Sequence, residues 1–204
     1  MNQKASLENT SRREFLQRLS QAIGVAAATS LVAGSGISTA LAYTPRPNSA
    51  DKAGVTFSQA QMKTLQSICA TVIPKTDTPS AADVDCHGFV DHQLLQCHSE
   101  QDQKRCIDIV DVIDSKTMQS YGKSFAALPT EKQTEILVEV EALRGFSASQ
   151  KADFKLLKSL IVFGYFTSED GVKKALFFQP YPGGYKGSIP VDERTKTSGS
   201  LDYY

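Results

Sequence analysis

Apolar residues recur every three or four positions in five stretches of the chain, a spacing that places them on one face of a helix. Thr56 or Ser58 is a candidate cap for the first stretch, which ends at Pro74, and the pattern Thr130-Glu131-Lys132-Gln133 has the form of a capping box at the start of the fourth. Ser149 is a candidate cap for the fifth, which is the most apolar. The pattern predicts an all-α fold, a compact helical domain of about five to six helices. The positions that define the stretches are Met62, Leu65, Ile68, Cys69 and Val72, then Phe89, Val90, Leu94 and Leu95, then Ile107, Val110, Ile113 and Met118, then Ile136, Leu137, Val140 and Leu143, and finally Phe154, Leu157, Leu160, Ile161, Phe163 and Phe166.

We assign the helical domain to residues 55–178. Two irregular segments flank it. Residues 43–54 contain two prolines and an asparagine, which favour a linker. In residues 179–204 prolines and glycines prevent regular structure, and Tyr181 and Tyr185 lie between them. We interpret this last segment as an extended C-terminal arm that lies on another subunit, and simple disorder is the alternative.

The first 42 residues have the pattern of a twin-arginine export signal. A weakly hydrophobic run over residues 23–41 follows the paired arginines and ends in Ala40-Leu41-Ala42, so we expect cleavage before Tyr43. A retained membrane anchor is the alternative, but glycines and hydroxyl side chains make the run weakly apolar for a spanning helix. Because the twin-arginine route exports folded proteins, we expect a periplasmic protein with either a cofactor site or a bound partner. The residues that define the signal are Arg12, Arg13, Phe15 and Leu16.

The charge balance excludes one class of partner. The chain has 22 basic and 22 acidic residues, and the predicted signal holds four of the basic and two of the acidic ones, so the remaining 162 residues carry a net charge of −2. Because no basic stripe remains, we expect neither nucleic acid nor an anionic membrane surface as a partner. A length of this order suits one domain with one core.

All four cysteines follow the predicted signal, and an even number in an oxidising compartment predicts two disulfides. Three connectivities are possible. We favour Cys97 with Cys106, which flank a polar turn, and Cys69 with Cys86. A pairing of Cys86 with Cys97 is disfavoured because about 16 Å of helix would separate them. A metal site that includes the three histidines is the remaining alternative, but no CxxC or HxxxH spacing supports it.

Motifs for independent catalysis are absent from the sequence. It contains no GxGxxG for a dinucleotide, no CxxCH for attached haem and no GxSxG nucleophile elbow. No histidine is set as a base beside a nucleophile. We therefore expect no catalytic, cofactor-binding or metal-binding residues in this chain, and we favour export together with a partner that holds the cofactor.

Three segments of the chain have a recognisable pattern: Leu65-Gln66-Ser67-Ile68-Cys69-Ala70-Thr71-Val72-Ile73-Pro74-Lys75-Thr76-Asp77-Thr78-Pro79-Ser80-Ala81, Phe166-Thr167-Ser168-Glu169-Asp170-Gly171, and Tyr181-Pro182-Gly183-Gly184-Tyr185-Lys186-Gly187. In this order they resemble the small (gamma) subunit of membrane-bound flavin dehydrogenases, the gluconate 2-dehydrogenase subunit 3 family with its sorbitol, fructose and glucose dehydrogenase relatives. The twin-arginine leader also fits. One departure is Ser80, where the family more usually has glycine, and this affects the expected turn geometry.

The resemblance implies a heterotrimer. Its large subunit would be an FAD-containing dehydrogenase for a sugar, a polyol or a sugar acid, and a multi-haem cytochrome c with haem c would pass electrons to the quinone pool. This chain would be the non-catalytic small subunit, which escorts the flavoprotein through the twin-arginine translocase and stabilises it. A free-standing periplasmic helical protein and a catalytic oxidoreductase with an unrecognised site are the alternatives. The residues expected to contact the partner are Tyr181 and Tyr185, together with Pro79 and Glu169, for which helix capping is an equal alternative.

Overall fold

The computed structural model describes residues 43–176. Six α-helices and two 3₁₀ turns occur in this range, and no strand does. The prediction of an all-α domain with five to six helices is therefore confirmed. None of these helices is long and apolar enough to cross a membrane. The elements are a 3₁₀ turn at Ser49–Asp51, α1 at Gln59–Val72, α2 at Cys86–Cys97, α3 at Glu100–Tyr121, a 3₁₀ turn at Phe125–Ala127, α4 at Thr130–Glu141, α5 at Ala148–Thr167 and α6 at Glu169–Ala175.

Two capping boxes begin α1 and α5. The hydroxyl oxygen of Ser58 accepts a hydrogen bond from the amide of Gln61 at 3.4 Å, and the Gln61 side chain accepts one from the Ser58 amide at 2.8 Å. Ser147 and Gln150 form the same pair of bonds at the start of α5. Ser149 is therefore helical and not the cap that the sequence predicts.

The capping box predicted at Thr130 is wrong. Pro129 is the N-cap of α4, and Thr130 is already the first helical residue. The side chain of Gln133 is buried and donates a hydrogen bond to the carbonyl oxygen of Phe125 at 2.9 Å. This side chain therefore ties α4 to the preceding 3₁₀ turn and does not cap its own helix.

The helix α5 lies at the centre of the core, as its apolar composition predicts. It packs against each of the other five helices. Phe154, Leu157 and Ile161 on this helix are at most 2 % exposed. Burial of each such side chain contributes about 1.5–3 kcal/mol relative to leaving it in water. Contacts with α5 therefore help to hold the other five helices in place, while both 3₁₀ turns pack against α1.

Residues 43–57 form an irregular strap that is bound to the region of α2, and we use this name for the segment below. The carboxylate of Asp91 accepts hydrogen bonds from the three successive backbone amides of residues 55–57, at 2.7, 2.8 and 3.0 Å. Phe57 and Ala50 of the strap are buried. The segment has the irregular backbone that its prolines predict, apart from one 3₁₀ turn, and it packs as part of the domain.

All four cysteines are free thiols, so the two predicted disulfides are not formed. Cys97, the last residue of α2, is exposed, whereas Cys106 on α3 is buried in the core, so these two side chains lie in different environments. Cys69 and Cys86 are also buried. Burial raises the pKa of the Cys86 and Cys106 thiols to about 12 and raises the pKa of Cys69 as well. All three buried thiols are therefore protonated at neutral pH.

Candidate interaction surface

A buried polar cluster holds the first half of the strap. Asp85, which precedes α2 with a φ of 58°, accepts hydrogen bonds from the Arg46 amide at 2.7 Å and from the Ser49 hydroxyl at 2.5 Å. The Tyr43 hydroxyl also donates to this carboxylate. The Ser49 oxygen lies 2.7 Å from Nε2 of His87. Three side chains, those of Tyr43, Ser49 and His87, and one backbone amide thus contact a single buried carboxylate.

This cluster contains Ser, His and Asp side chains but lacks the geometry of a catalytic triad. In a triad the carboxylate and the serine contact opposite nitrogens of the imidazole. Here Ser49 and Asp85 both contact Nε2 of His87, at 2.7 and 3.2 Å. Nδ1 is buried without a hydrogen-bond partner. Burial lowers the pKa of His87, although the charge of Asp85 opposes this shift. The arrangement suits an anchor for the strap.

Pro79 and Glu169, the two predicted contact residues in the described range, belong to structural connections. The carbonyl oxygen of Pro79 accepts a hydrogen bond from the buried Tyr165 hydroxyl at 2.9 Å. Glu169 is exposed and forms an ion pair with Lys173 one turn later in α6. Within the described residues, both therefore have structural partners. The other predicted site residues, Arg12, Arg13, Phe15, Leu16, Tyr181 and Tyr185, lie outside the described range.

The turn between α5 and α6 explains the Ser168-Glu169-Asp170-Gly171 pattern. The Ser168 hydroxyl oxygen accepts the amide hydrogen of Gly171 at 3.0 Å and so caps α6. A Cβ at Gly171 would overlap the carbonyl oxygen of Tyr165. Glycine is therefore required here by the close approach of two backbones. The capping interpretation therefore accounts for both ends of this segment: Ser168 caps α6, and Gly171 leaves room for the carbonyl oxygen of Tyr165.

Four aromatic side chains form a partly exposed surface where α2, α5 and the strap meet, which we name the aromatic face. Phe163 and Phe166, three residues apart on α5, are 54 % and 39 % exposed. The Phe163 ring lies 6.0 Å from the ring of Phe89, centroid to centroid, and Phe89 lies 5.9 Å from Tyr43. These separations are within the range of favourable aromatic pairs. Three of the four rings, those of Tyr43, Phe89 and Phe163, therefore pack in a row, and the Phe166 ring packs against that of Tyr165.

Close packing below the face fixes the position of Phe89. A Cβ built on Gly164 would lie 2.5 Å from the Phe89 ring, so the absence of a side chain at Gly164 lets this ring settle against α5. Two uncharged side chains are close to the rings along their helices: Gln93 is one turn from Phe89, and Ser159 is one turn from Phe163. The aromatic face therefore has exposed apolar area beside uncharged polar residues on both helices.

A shallow pocket of about 140 Å³ lies between α1, α4 and α5. Its rim includes the ion pair of Lys158 with Glu141 at 2.5 Å. Pockets that hold cofactors or drug-sized ligands usually measure about 300–1,000 Å³. In the range 43–176, no group of three or more His, Cys, Asp and Glu side chains is placed to hold a metal ion. This pocket is too small to hold a flavin or a haem.

The fold and the aromatic face define a small all-α domain with a surface of the kind that contacts other proteins. The chain belongs to the gluconate 2-dehydrogenase subunit 3 family, whose family model matches residues 59–183 and so includes all six helices. This family implies association with the large subunit of a dehydrogenase, so the chain is a small subunit of an oxidoreductase complex. The chain matched no curated protein and no solved structure.

Sequence reasoning did not identify the residues that organise this surface. The predicted contact positions came from the resemblance and from the C-terminal segment, whereas Asp85 and Asp91 carry no motif. The apolar pattern groups Phe163 and Phe166 with the buried positions of their helix, but the structure places both on the surface. The number of apolar residues on α5 could have indicated this, because one helix face cannot bury them all.

Proposed function

We propose that this chain is the non-catalytic small subunit that escorts an FAD-containing sugar, polyol or sugar-acid dehydrogenase into the periplasm and stabilises it there. Membership of the subunit 3 family carries the proposal, because the match spans every helix of the described domain. The twin-arginine pattern around Arg12 and Arg13 supports the export step, since that route accepts folded cargo.

The cofactors of the complex belong to its other subunits in this proposal. FAD lies in the large subunit, and haem c lies in a multi-haem cytochrome c that links the complex to the periplasmic face of the inner membrane. The sequence supports the placement of haem c in another subunit, because it has no CxxCH motif for haem attachment.

Expression of the large subunit with and without this chain tests the escort step. Dehydrogenase activity with a dye acceptor is measured in periplasmic and cytoplasmic fractions. We expect periplasmic activity only when this chain is present, because the large subunit then uses the signal of its partner. Arg12→Lys combined with Arg13→Lys should leave both proteins in the cytoplasm.

Arg18→Lys is the matched control, because it makes the same conservative change in the same segment outside the arginine pair. This variant should export normally. A large subunit that reaches the periplasm and remains active without this chain would refute the escort function. Dye reduction by the purified small chain alone would refute its non-catalytic role.

A further inference from the structure

The aromatic face has the composition of an interface core. Interface cores are depleted of charge and enriched in aromatic residues, relative to the rest of a protein surface. Phe163 and Phe166 are the two exposed phenylalanines of the described range, and they lie on the same side of α5. The face therefore differs from an ordinary solvated surface in its exposed aromatic side chains.

The rings of the aromatic face are held in place before any partner binds. Tyr43 donates a hydrogen bond to Asp85 and packs edge-on against Phe89, and Phe89 in turn lies over Gly164. Phe166 packs edge-on against the buried ring of Tyr165 at 5.1 Å. Because these side chains are already ordered, a partner that covers them loses less conformational entropy on binding.

The described chain begins at this face. Its first residue, Tyr43, is itself a member of the face, and its hydroxyl is held by the buried carboxylate of Asp85. A protein bound to the face would therefore contact the first residue of the strap.

We propose that the aromatic face is the surface on which the FAD-containing large subunit docks, with Phe163 and Phe166 as its central anchors. This inference rests on the proposed function and adds the surface that performs it. The family's association with the large subunit of a dehydrogenase favours that subunit as the occupant. A second copy of this chain and the chain's own residues 177–204 are the competing occupants.

The test compares binding of the FAD-loaded large subunit to full-length variants of this chain, measured as the dissociation constant by surface plasmon resonance. Phe163→Ser combined with Phe166→Ser should weaken binding at least 30-fold, the size expected for the loss of central aromatic anchors. Ser159→Glu should weaken it about 10-fold, because the new charge would lose its water in the complex. The Ser159 hydroxyl bonds only to its own helix, so this variant leaves the fold intact.

Met118→Ser is the matched control, because Met118 on α3 is 50 % exposed, close to the 54 % of Phe163. It should bind like the wild type. Equal weakening by this control, or unchanged binding of both face variants, would overturn the inference while leaving the subunit function standing. Wild-type chain that does not bind the large subunit would refute the proposed function and the inference together.

Two further outcomes assign the face to another occupant. If the wild-type chain is a dimer in sedimentation and Phe163→Ser with Phe166→Ser is a monomer that still binds the large subunit, the face joins two copies. If Tyr181→Ser with Tyr185→Ser speeds hydrogen exchange at residues 163–166, and Phe163→Ser with Phe166→Ser still binds the large subunit with wild-type affinity, the chain's own C-terminal residues cover the face. Either result would overturn the inference.

Discussion

The carboxylate of Asp91 provides a quantitative test of how the strap is held. Three backbone amides donate to it, two to Oδ1 from Thr56 and Phe57 and one to Oδ2 from Val55. Asp91 is 6 % exposed and Phe57 only 2 %, whereas Val55 is 60 % exposed. If Asp91 is replaced, water can therefore reach the amide of Val55 more easily than the amide of Phe57.

Asp91→Ala should lower the free energy of unfolding by about 4 kcal/mol. Loss of a hydrogen bond to a charged group costs about 1.5–3 kcal/mol when the remaining donor stays buried. The variant loses two such bonds, those from the amides of Thr56 and Phe57. For a domain of this size, about 4 kcal/mol corresponds to a fall of roughly 8–16 °C in Tm. Since stabilities of single domains are about 5–15 kcal/mol, the variant should still fold at low temperature.

Asp91→Asn should cost less, about 1–2 kcal/mol. One side-chain oxygen remains in Asn, and at the Oδ1 position it can still accept both shielded hydrogen bonds, from Thr56 and Phe57. The new amino group then faces the backbone N–H of Val55, and two donors cannot bond to each other. The Val55 N–H can donate a hydrogen bond to water instead. The loss is therefore mainly that of the negative charge on the acceptor.

Urea unfolding followed by circular dichroism at 222 nm gives both free energies, and hydrogen exchange at residues 55–57 reports the strap itself. Asp111→Asn is the control, because Asp111 accepts one exposed hydrogen bond, from Gln61 at 2.8 Å. It should change stability by no more than about 0.5 kcal/mol. Equal losses for the Ala and Asn variants of Asp91, or a loss below about 1 kcal/mol for Ala, would refute this account.

Three further predictions follow from the same structure. Gly171→Ala should cost about 1–3 kcal/mol in urea unfolding and reduce helix content, because its Cβ would overlap the carbonyl oxygen of Tyr165. One thiol, that of Cys97, should react rapidly with Ellman's reagent in the native chain, and four should react in denaturant, because the other three cysteines are buried and none is paired. Acidification should destabilise the protein through His87: burial lowers its folded-state pKa below 6.5, so the unfolded chain takes up the proton first, and stability falls as the pH drops from about 6.5 to the folded-state pKa. His87→Gln should abolish that part of the pH dependence of unfolding, whereas His92→Gln should not.

Each of these expectations has an outcome that contradicts it. A Gly171→Ala variant with wild-type stability would mean that the turn after α5 has room for a side chain. Two or fewer reactive thiols in denaturant without reductant would restore the disulfide prediction. A pH dependence that persists in the His87→Gln variant would mean that other groups protonate below pH 6.5.

The helices could be predicted from the sequence because their signals are local. The apolar spacing of Leu157 and Ile161 depends only on residues within two turns, and the structure places both in the core. Helix starts were predicted less well. Ser58, one of the two candidate caps for α1, is confirmed as its N-cap, whereas the prediction misses the Ser-x-x-Gln pattern at Ser147 and wrongly takes the similar pattern at Thr130 as a cap.

The strap could not be predicted because its hydrogen bonds join residues far apart in sequence. Asp91 binds amides 34 to 36 positions earlier, and Asp85 binds Tyr43 from 42 positions away. An aspartate in an apolar helix gives no indication of such a partner. The disulfide prediction failed for a related reason, since it used the number of cysteines and took no account of burial, and burial separates Cys97 from Cys106.

The contact between Tyr165 and Pro79 changes how the family resemblance bears on function. It joins the loop at residues 74–81 to Tyr165 in the last turn of α5, and the Ser168 hydroxyl of the second resembling segment donates to the Tyr165 carbonyl oxygen at 2.7 Å. Tyr165 therefore connects two of the three resembling segments, and this structural connection accounts for part of their pattern without a partner. Phe166, which begins the second segment, lies next to Tyr165 with 39 % of its surface exposed, so part of that segment remains accessible to a partner. The hydrogen bond between Tyr165 and Pro79 thus fixes the end of α5 that carries Phe163 and Phe166. A contact between two segments typical of the family therefore positions the surface that we propose as the docking site.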